Sequence, residues 1–434
     1  MSNRTLIDKV RGRRVWDSRG RPTVEAEVVL TDGSYGRAIA PAGASTGSAE
    51  ALDRRDCGEA FGGYDVRQAV DAVEHEIAPA LQGLDATDQG LVDRRLIDLD
   101  GTHDKSRLGA NATIAVSMAN AHAAAAAAAQ PLFRYLAGDR PLIIPLPEIQ
   151  IFGGGAHAGR RVDIQDFMIV CPGAESFAEA LDWTAEVYRA AGTLLGEAGR
   201  LAGVADEGGF WPVFETNEQA LDTLVRAVER AGYRPADQVG IALDIAASEF
   251  GSEGRYRLAL EDRELDSGEM IDLLRSWLQR YPILSIEDPL AEDDIDGFRA
   301  FTALAGENLQ IIGDDLLVTD AERVHRAAAL NAANALLVKP NQRGTLTETK
   351  AAFDAARIAG FDTIVSARSG ETEDITIAHL AVGWNAGQLK VGSFSRSERM
   401  AKWNEVLRIE EAIGDGGRFA GRKALRGGGL FSKG

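Results

Sequence analysis

Six apolar runs in the second half of the chain each end on a charged side chain. They read ALD at Asp244, LSIE at Glu287, IIGD at Asp314, LLVK at Lys339, IVSAR at Arg368 and QLK at Lys390. Intervals of 43, 27, 25, 29 and 22 residues separate those ends, which leaves room for a helix between successive strands. That rhythm predicts a β/α barrel whose strand ends carry the chemistry. The first 65 residues read differently. TVEAEVVL (Thr23 to Leu30) alternates in part, TDG follows as a hairpin turn, and YGRAIA from Tyr35 is the returning strand. The glycine-rich PAGASTGSAEA reads as a mobile loop. From Asp65 to Ala137 the pattern is helical, and the run LGANATIAVSMANAHAAAAAAAQ is rich in small helix formers suited to close packing. Gly138, Asp139 and the prolines at 141, 145 and 147 mark a boundary. The expected class is therefore α/β: an N-terminal α+β domain over residues 1–138 and a β/α (TIM-like) barrel over 139–434. Within the barrel, TDAE from Thr319 and TLTE from Thr345 read as capping boxes. An amphipathic helix is expected around Ala401 to Ile413, and the tail GGGLFSKG is expected to fray.

Composition narrows the function. A net charge of −19 argues against a nucleic-acid partner, because a phosphate backbone needs a basic face. An acidic protein that binds an anion must reverse its field locally, with buried cations or a metal ion. Two cysteines, Cys57 and Cys171, cannot build a disulfide framework or a zinc quartet. MSNRTLIDKV has no long apolar stretch, and no run is long and apolar enough to span a bilayer. No membrane role and a cytoplasmic location are expected.

The strand-end groups carry the candidate chemistry. Asp244, Glu287 and Asp314 end consecutive strands and open toward one rim. Three carboxylates that converge repel unless a divalent cation neutralises them, and an all-oxygen donor set suits Mg²⁺. Lys339 follows a buried run, where desolvation and a nearby metal lower its pKa toward that of a useful base. Lys390 ends a later strand and faces the same acids. Arg368 and Ser369 in SARSGETED stand just before an expected helix N-terminus and read as a phosphate site. Glu207 lies in DEGG beside a flexible loop. His157 lies in GGGAHAGRRVDIQDF and on its own reads as a structural hydrogen bonder.

Together, DSRGRPTVEAEV, PAGASTGSAEA, LGANATIAVS, DIQDFMIV, DEGGFWP, SIEDPL, GDDLLVT, LVKPNQRGTLTET, RSGETED and RSERMAKWNEVLRIEEAIG resemble the enolase family over nearly the whole chain. The resemblance implies a barrel whose first strands depart from regular βα order. It implies Asp244, Glu287 and Asp314 as ligands of a Mg²⁺. It implies Lys339 as the base that removes the proton α to a carboxylate, and Glu207 as the acid that assists departure of the 3-hydroxyl. Arg368 and Ser369 resemble the phosphate clamp and Lys390 a carboxylate contact, with His157, Asp166 and Ser45 as further substrate contacts. A small anionic phospho- or phosphono-carboxylate substrate and a homo-oligomer, dimer or octamer, are implied as well.

Departures from the family pattern concentrate in the same place. Ala42 replaces a serine in the glycine-rich loop that ligates a second Mg²⁺, while Ser45 and Thr46 remain. Ala367 replaces a histidine, Asp166 a glutamate, and Ala49 an arginine. Trp211 and Val213 stand where a small residue and asparagine are usual. The small side chains suggest a larger group near the substrate phosphorus. The expectation is a specialised paralogue resembling carboxyphosphonoenolpyruvate synthases of phosphinate biosynthesis. An ordinary 2-phosphoglycerate dehydratase is the alternative. A third reading, an inactive binding protein on the same fold, is disfavoured by the intact Lys339, Glu207 and acid trio.

Overall fold

The computed structural model describes residues 3–426; the tail at 427–434 lies outside the described residues. β1 (Ile7–Trp16), β2 (Pro22–Leu30) and β3 (Tyr35–Ile39) form an antiparallel meander. Helix α1 (Ala110–Ala127) packs on β2 and β3 and is buried from Ala110 to Ala121. The alanines permit this approach: a Cβ at Gly36 of β3 would lie 2.2 Å from the Ala119 carbonyl oxygen. A helix apolar all round is a buried helix, and this one also packs against the 3-10 turn that follows Lys339.

Eight strands close the barrel: β4 (Leu146–Gly153), β5 (Asp166–Val170), β6 (Gly240–Asp244), β7 (Ile283–Glu287), β8 (Gln310–Gly313), β9 (Ala335–Val338), β10 (Asp362–Ser366) and β11 (Gly387–Ser393). All are buried but for one residue, Leu284, which explains the near-continuous apolar runs in place of alternation. β5 pairs antiparallel to both β4 and β6; the other neighbours are parallel. Two helices, α2 (Phe177–Glu197) and α3 (Asn217–Arg230), fill the interval between β5 and β6. α4 (Ser267–Arg280), α5 (Ile295–Ala305), α6 (Ala321–Leu330), α7 (Leu346–Ala359), α8 (Thr376–Gly383) and α9 (Ser397–Ile413) then alternate with strands. The molecule is thus an α/β protein with an α+β N-terminal part and a barrel of irregular first strands. No helix among the described residues is long and apolar enough to cross a membrane.

Several local expectations are corrected. Asp320, not Thr319, caps α6 by accepting from the Arg323 N–H. Thr319 has a left-handed φ of 52° and turns its hydroxyl inward to Gln342. Lys390 lies inside β11, which runs on to Ser393. α8 starts at Thr376, seven residues past Ser369, and its first N–H is met by Asp374. Arg368 and Ser369 therefore do not stand immediately before α8.

α8 is buried along its length and joins the two halves. His379 stacks on Phe133 at a 6.0 Å centroid distance, meets His122 of α1 edge-on at 6.0 Å, and places Nε2 3.4 Å from Glu405 Oε1. Burial, reinforced by His122, pushes His379 down to about 3.

Candidate active site

Neighbouring strands bring the acids together. Asp244 and Glu287 end β6 and β7 in register, and Asp314 is one residue beyond β8. All three are buried. Lysines meet them. Lys390 Nζ donates to Asp244 Oδ2 at 2.9 Å and Glu287 Oε2 at 2.8 Å, and lies 3.6 Å from Asp166 Oδ2. Lys339 Nζ bonds Asp314 Oδ2. Low dielectric makes such pairing obligatory for buried charge. Burial opposes the charge on Lys390, but Asp244, Glu287 and Asp166 hold its pKa well above the usual lysine range.

Burial acts to lower the Lys339 pKa, but Asp314 in direct contact and Glu287 beyond it together outweigh burial, and the net shift is upward.

The acids fit a hard divalent cation. Their donors are all carboxylate oxygens, and Glu287 Oε1 is buried without a hydrogen-bond partner among the described residues. Among the described residues, the acids whose ligand atoms lie within 4.8 Å of one another are a different set: Asp288, Asp314 and Asp315. Asp288 caps that turn by accepting from the N–H groups of Asp314 (3.0 Å) and Asp315 (2.8 Å).

The hairpin from β4 to β5 delivers His157 and Asp166. Because β5 runs antiparallel, its first residue lies on the rim where the other strands end, and Asp166 pairs with Asp244 across the ladder. His157 Nδ1 is 3.3 Å from Asp166 Oδ1, and Nε2 is 3.9 Å from Glu207 Oε1 and 3.2 Å from Ser369 Oγ. Burial alone would lower the imidazole pKa, but Glu207 and Asp166 raise it to about 9. Burial likewise acts to raise Asp166, and His157 and Lys390 overcome it, bringing the carboxyl to about 2. The dyad is a buried imidazolium–carboxylate pair. Glu207 sits at the tip of a tight hairpin, held to β11 by the bond from Ser393 N–H to its carbonyl at 2.9 Å.

Arg368 is more enclosed than a phosphate clamp needs to be. Its guanidinium donates to Glu50 Oε2 (2.9 Å) and Oε1 (3.1 Å), Asn341 Oδ1 (3.0 Å) and the Ser45 carbonyl (3.0 Å). Ala42 and Gly370 exchange two backbone hydrogen bonds of 2.9 Å, which lay the glycine-rich loop against this wall. Ser369 Oγ accepts from the Ala44 N–H at 3.1 Å.

Ser45, His157, Asp166, Glu207, Asp244, Lys339, Arg368, Ser369 and Lys390 all line one cleft, with Ala367 on its wall. Glu287 and Asp314 lie behind it, bonded to the two lysines. Sequence reasoning missed Glu50, Gln150, Gln165 (Nε2 to Asp244 Oδ2, 3.0 Å) and Gln342 (Nε2 to Asp314 Oδ1, 2.8 Å). Polar residues inside apolar strands, Glu148 and Gln150 of LPEIQIFG, were the readable signal for part of this set.

Family comparison agrees with this geometry. Residues 7–136 match the family model for the enolase N-terminal domain, and residues 141–427 that for the enolase C-terminal TIM barrel domain. The chain belongs to the enolase family. It is 50% identical over 420 residues to a protein of Acidothermus cellulolyticus named enolase, covering 97% of each chain. It is therefore an enzyme of the enolase superfamily, and within it of a family of lyases that is generally Mg²⁺-dependent.

Proposed function

We propose that the protein removes the proton α to the carboxylate of a 2-phosphoglycerate-like substrate and expels the neighbouring hydroxyl, leaving an enolpyruvate. The observation that carries this reading is that Lys339, beyond β9, and Glu207, beside β4 and β11, line one cleft. Lys339, as the free amine, takes the proton from C2. The C–H electron pair passes into the carboxylate as an enolate; when it returns it forms the C2–C3 double bond, the C3–O bond breaks, and Glu207 delivers a proton so that water leaves. Lys390 faces the substrate carboxylate; Arg368 and Ser369 face the phosphorus end. Mg²⁺ held by Asp244, Glu287 and Asp314 would supply charge beside the carboxylate and, by engaging Asp314, withdraw from Lys339 the partner that keeps it protonated. His157 and Asp166 hold the Glu207 side of the cleft.

Two substrates divide this reading. Full-length likeness to a protein named enolase supports 2-phosphoglycerate itself. The other candidate is a glycerate whose phosphorus carries an added carboxyl group, giving carboxyphosphonoenolpyruvate, and two small side chains support it. Ala367 lines the wall beside Arg368 with only a methyl group, and Ala42 offers no side-chain oxygen next to Ser369. Direct assay decides. With Mg²⁺, 2-phosphoglycerate turnover at about 1–10 s⁻¹ or faster selects ordinary dehydration; slow turnover of it, with fast turnover of the carboxyphosphono analogue, selects the specialised enzyme. Turnover of neither defeats both. We further propose a division near residue 138, a cytoplasmic location and a homo-oligomeric state.

A further inference from the structure

Gln150 is buried in β4, beneath the cleft rather than in it, and its amide is used at both ends. Nε2 donates to Asp166 Oδ1, the oxygen that also meets His157 Nδ1. Oε1 accepts from the Gly209 N–H at 2.8 Å. Gly209 closes the hairpin whose tip is Glu207, through its carbonyl bond from Ala205 N–H at 2.7 Å. His157 completes the circuit, with its carbonyl accepting from Asp206 N–H at 3.2 Å and its ring facing Glu207. The fit is close. A Cβ at Gly209 would fall 2.4 Å from Gln150 Oε1, so any larger residue there would displace this side chain.

We propose that Gln150 is a positioning residue that sets Asp166, and through it His157, at a fixed distance from the Glu207 hairpin, and that Gln150 and Asp166 act as one length-matched pair. Asp166 has a short arm; the family pattern has a glutamate there. Gln150 has a long one, and their sum spans the gap between β5 and the hairpin. Lengthening Asp166 by one methylene, with His157, Gln150 and Lys390 packed around its carboxylate, forces overpacking. Shortening Gln150 by one methylene at the same time returns the space. This rests on the proposed reaction only in that the hairpin it fixes carries the proposed acid.

A double-mutant cycle tests the pair in the full-length protein with two readouts. The first is turnover of whichever glycerate the wild type accepts. Asp166→Glu and Gln150→Asn should each lower kcat about tenfold with KM changed less than about threefold, and the double variant should return to within about threefold of wild type. The second is amide hydrogen exchange of residues 205–210, which needs no activity. Each single variant should lose protection of the Gly209 N–H, and the double variant should regain it. If the wild type turns over no glycerate, the proposed function fails while exchange still decides the pairing. Single variants that match wild type in exchange, or a double variant whose losses are the plain sum of the two, would overturn the pairing.

Discussion

His379 makes the stability of this fold depend on pH in a direction that can be worked out. The ring is enclosed by Phe133, His122 and the buried α8, and its folded pKa is about 3. In the unfolded chain a histidine titrates near 6.5, so between those values the unfolded state binds a proton that the folded state refuses. The contribution of neutral His379 is fully present above about pH 6.5 and is lost as pH falls toward 3. Each unit of pH below 6.5 costs about 1.4 kcal/mol for one such proton, so about 2 kcal/mol disappears between pH 7 and pH 5. That figure hardly depends on the folded value, because at pH 5 the folded ring is neutral in any case. The assay is urea unfolding of wild type and His379→Gln at both pH values. Glutamine cannot titrate, so the stability difference between the two proteins should move by about 2 kcal/mol in favour of the variant on acidification. A shift of opposite sign would mean that Glu405, 3.4 Å from Nε2, holds the ring protonated, and would refute the reasoning.

Further expectations concern the site. Lys339→Ala should slow exchange of the substrate α-proton by about 10²–10⁴ while binding stays measurable, and wild-type exchange in the variant would remove the base from its role. Asp314→Asn should weaken Mg²⁺ binding by about 10–100-fold or more, read by Mg²⁺ titration of tryptophan fluorescence without substrate; unchanged binding would point to a different ligand set. Glu50→Ala strands a buried guanidinium and should cost about 3–5 kcal/mol in unfolding experiments, with a loss below 1 kcal/mol showing that Arg368 finds another anion. Ala42→Ser with Ala367→His, Asp166→Glu and the matching Gln150→Asn should raise 2-phosphoglycerate dehydration; no gain from the four together would count against the substrate reading.

The barrel was legible because parallel strands buried on both faces leave uninterrupted apolar runs, and a charged residue that ends such a run has only the rim to face. Asp244, Glu287, Asp314 and Lys339 were readable on that ground. Arg368 and Ser369 line the cleft, but α8 begins seven residues later than their sequence context suggests. The burial of Lys339 is visible in the sequence, and its contact with Asp314 is not. Glu50 meets Arg368 from 318 residues away, and no local pattern announces such a partner. Gln150 stood in plain view inside an apolar strand, where an amide needs two partners; what hid it was that both partners lie in other segments.

Lys390 also fixes when the acids can be neutralised as the chain is made. β11 closes the barrel by pairing with β4, strands separated by more than half the chain, and Lys390 sits directly opposite Glu148 in that seam. A polypeptide emerging from its N-terminus therefore exposes Asp244 and Glu287 well before their ammonium partner exists. Until the last strand docks, those carboxylates must stay in water, so β6 and β7 cannot settle into their final depth. Closure of the seam and burial of the acid pair become a single late event, which couples the completion of the catalytic rim to the completion of the fold itself.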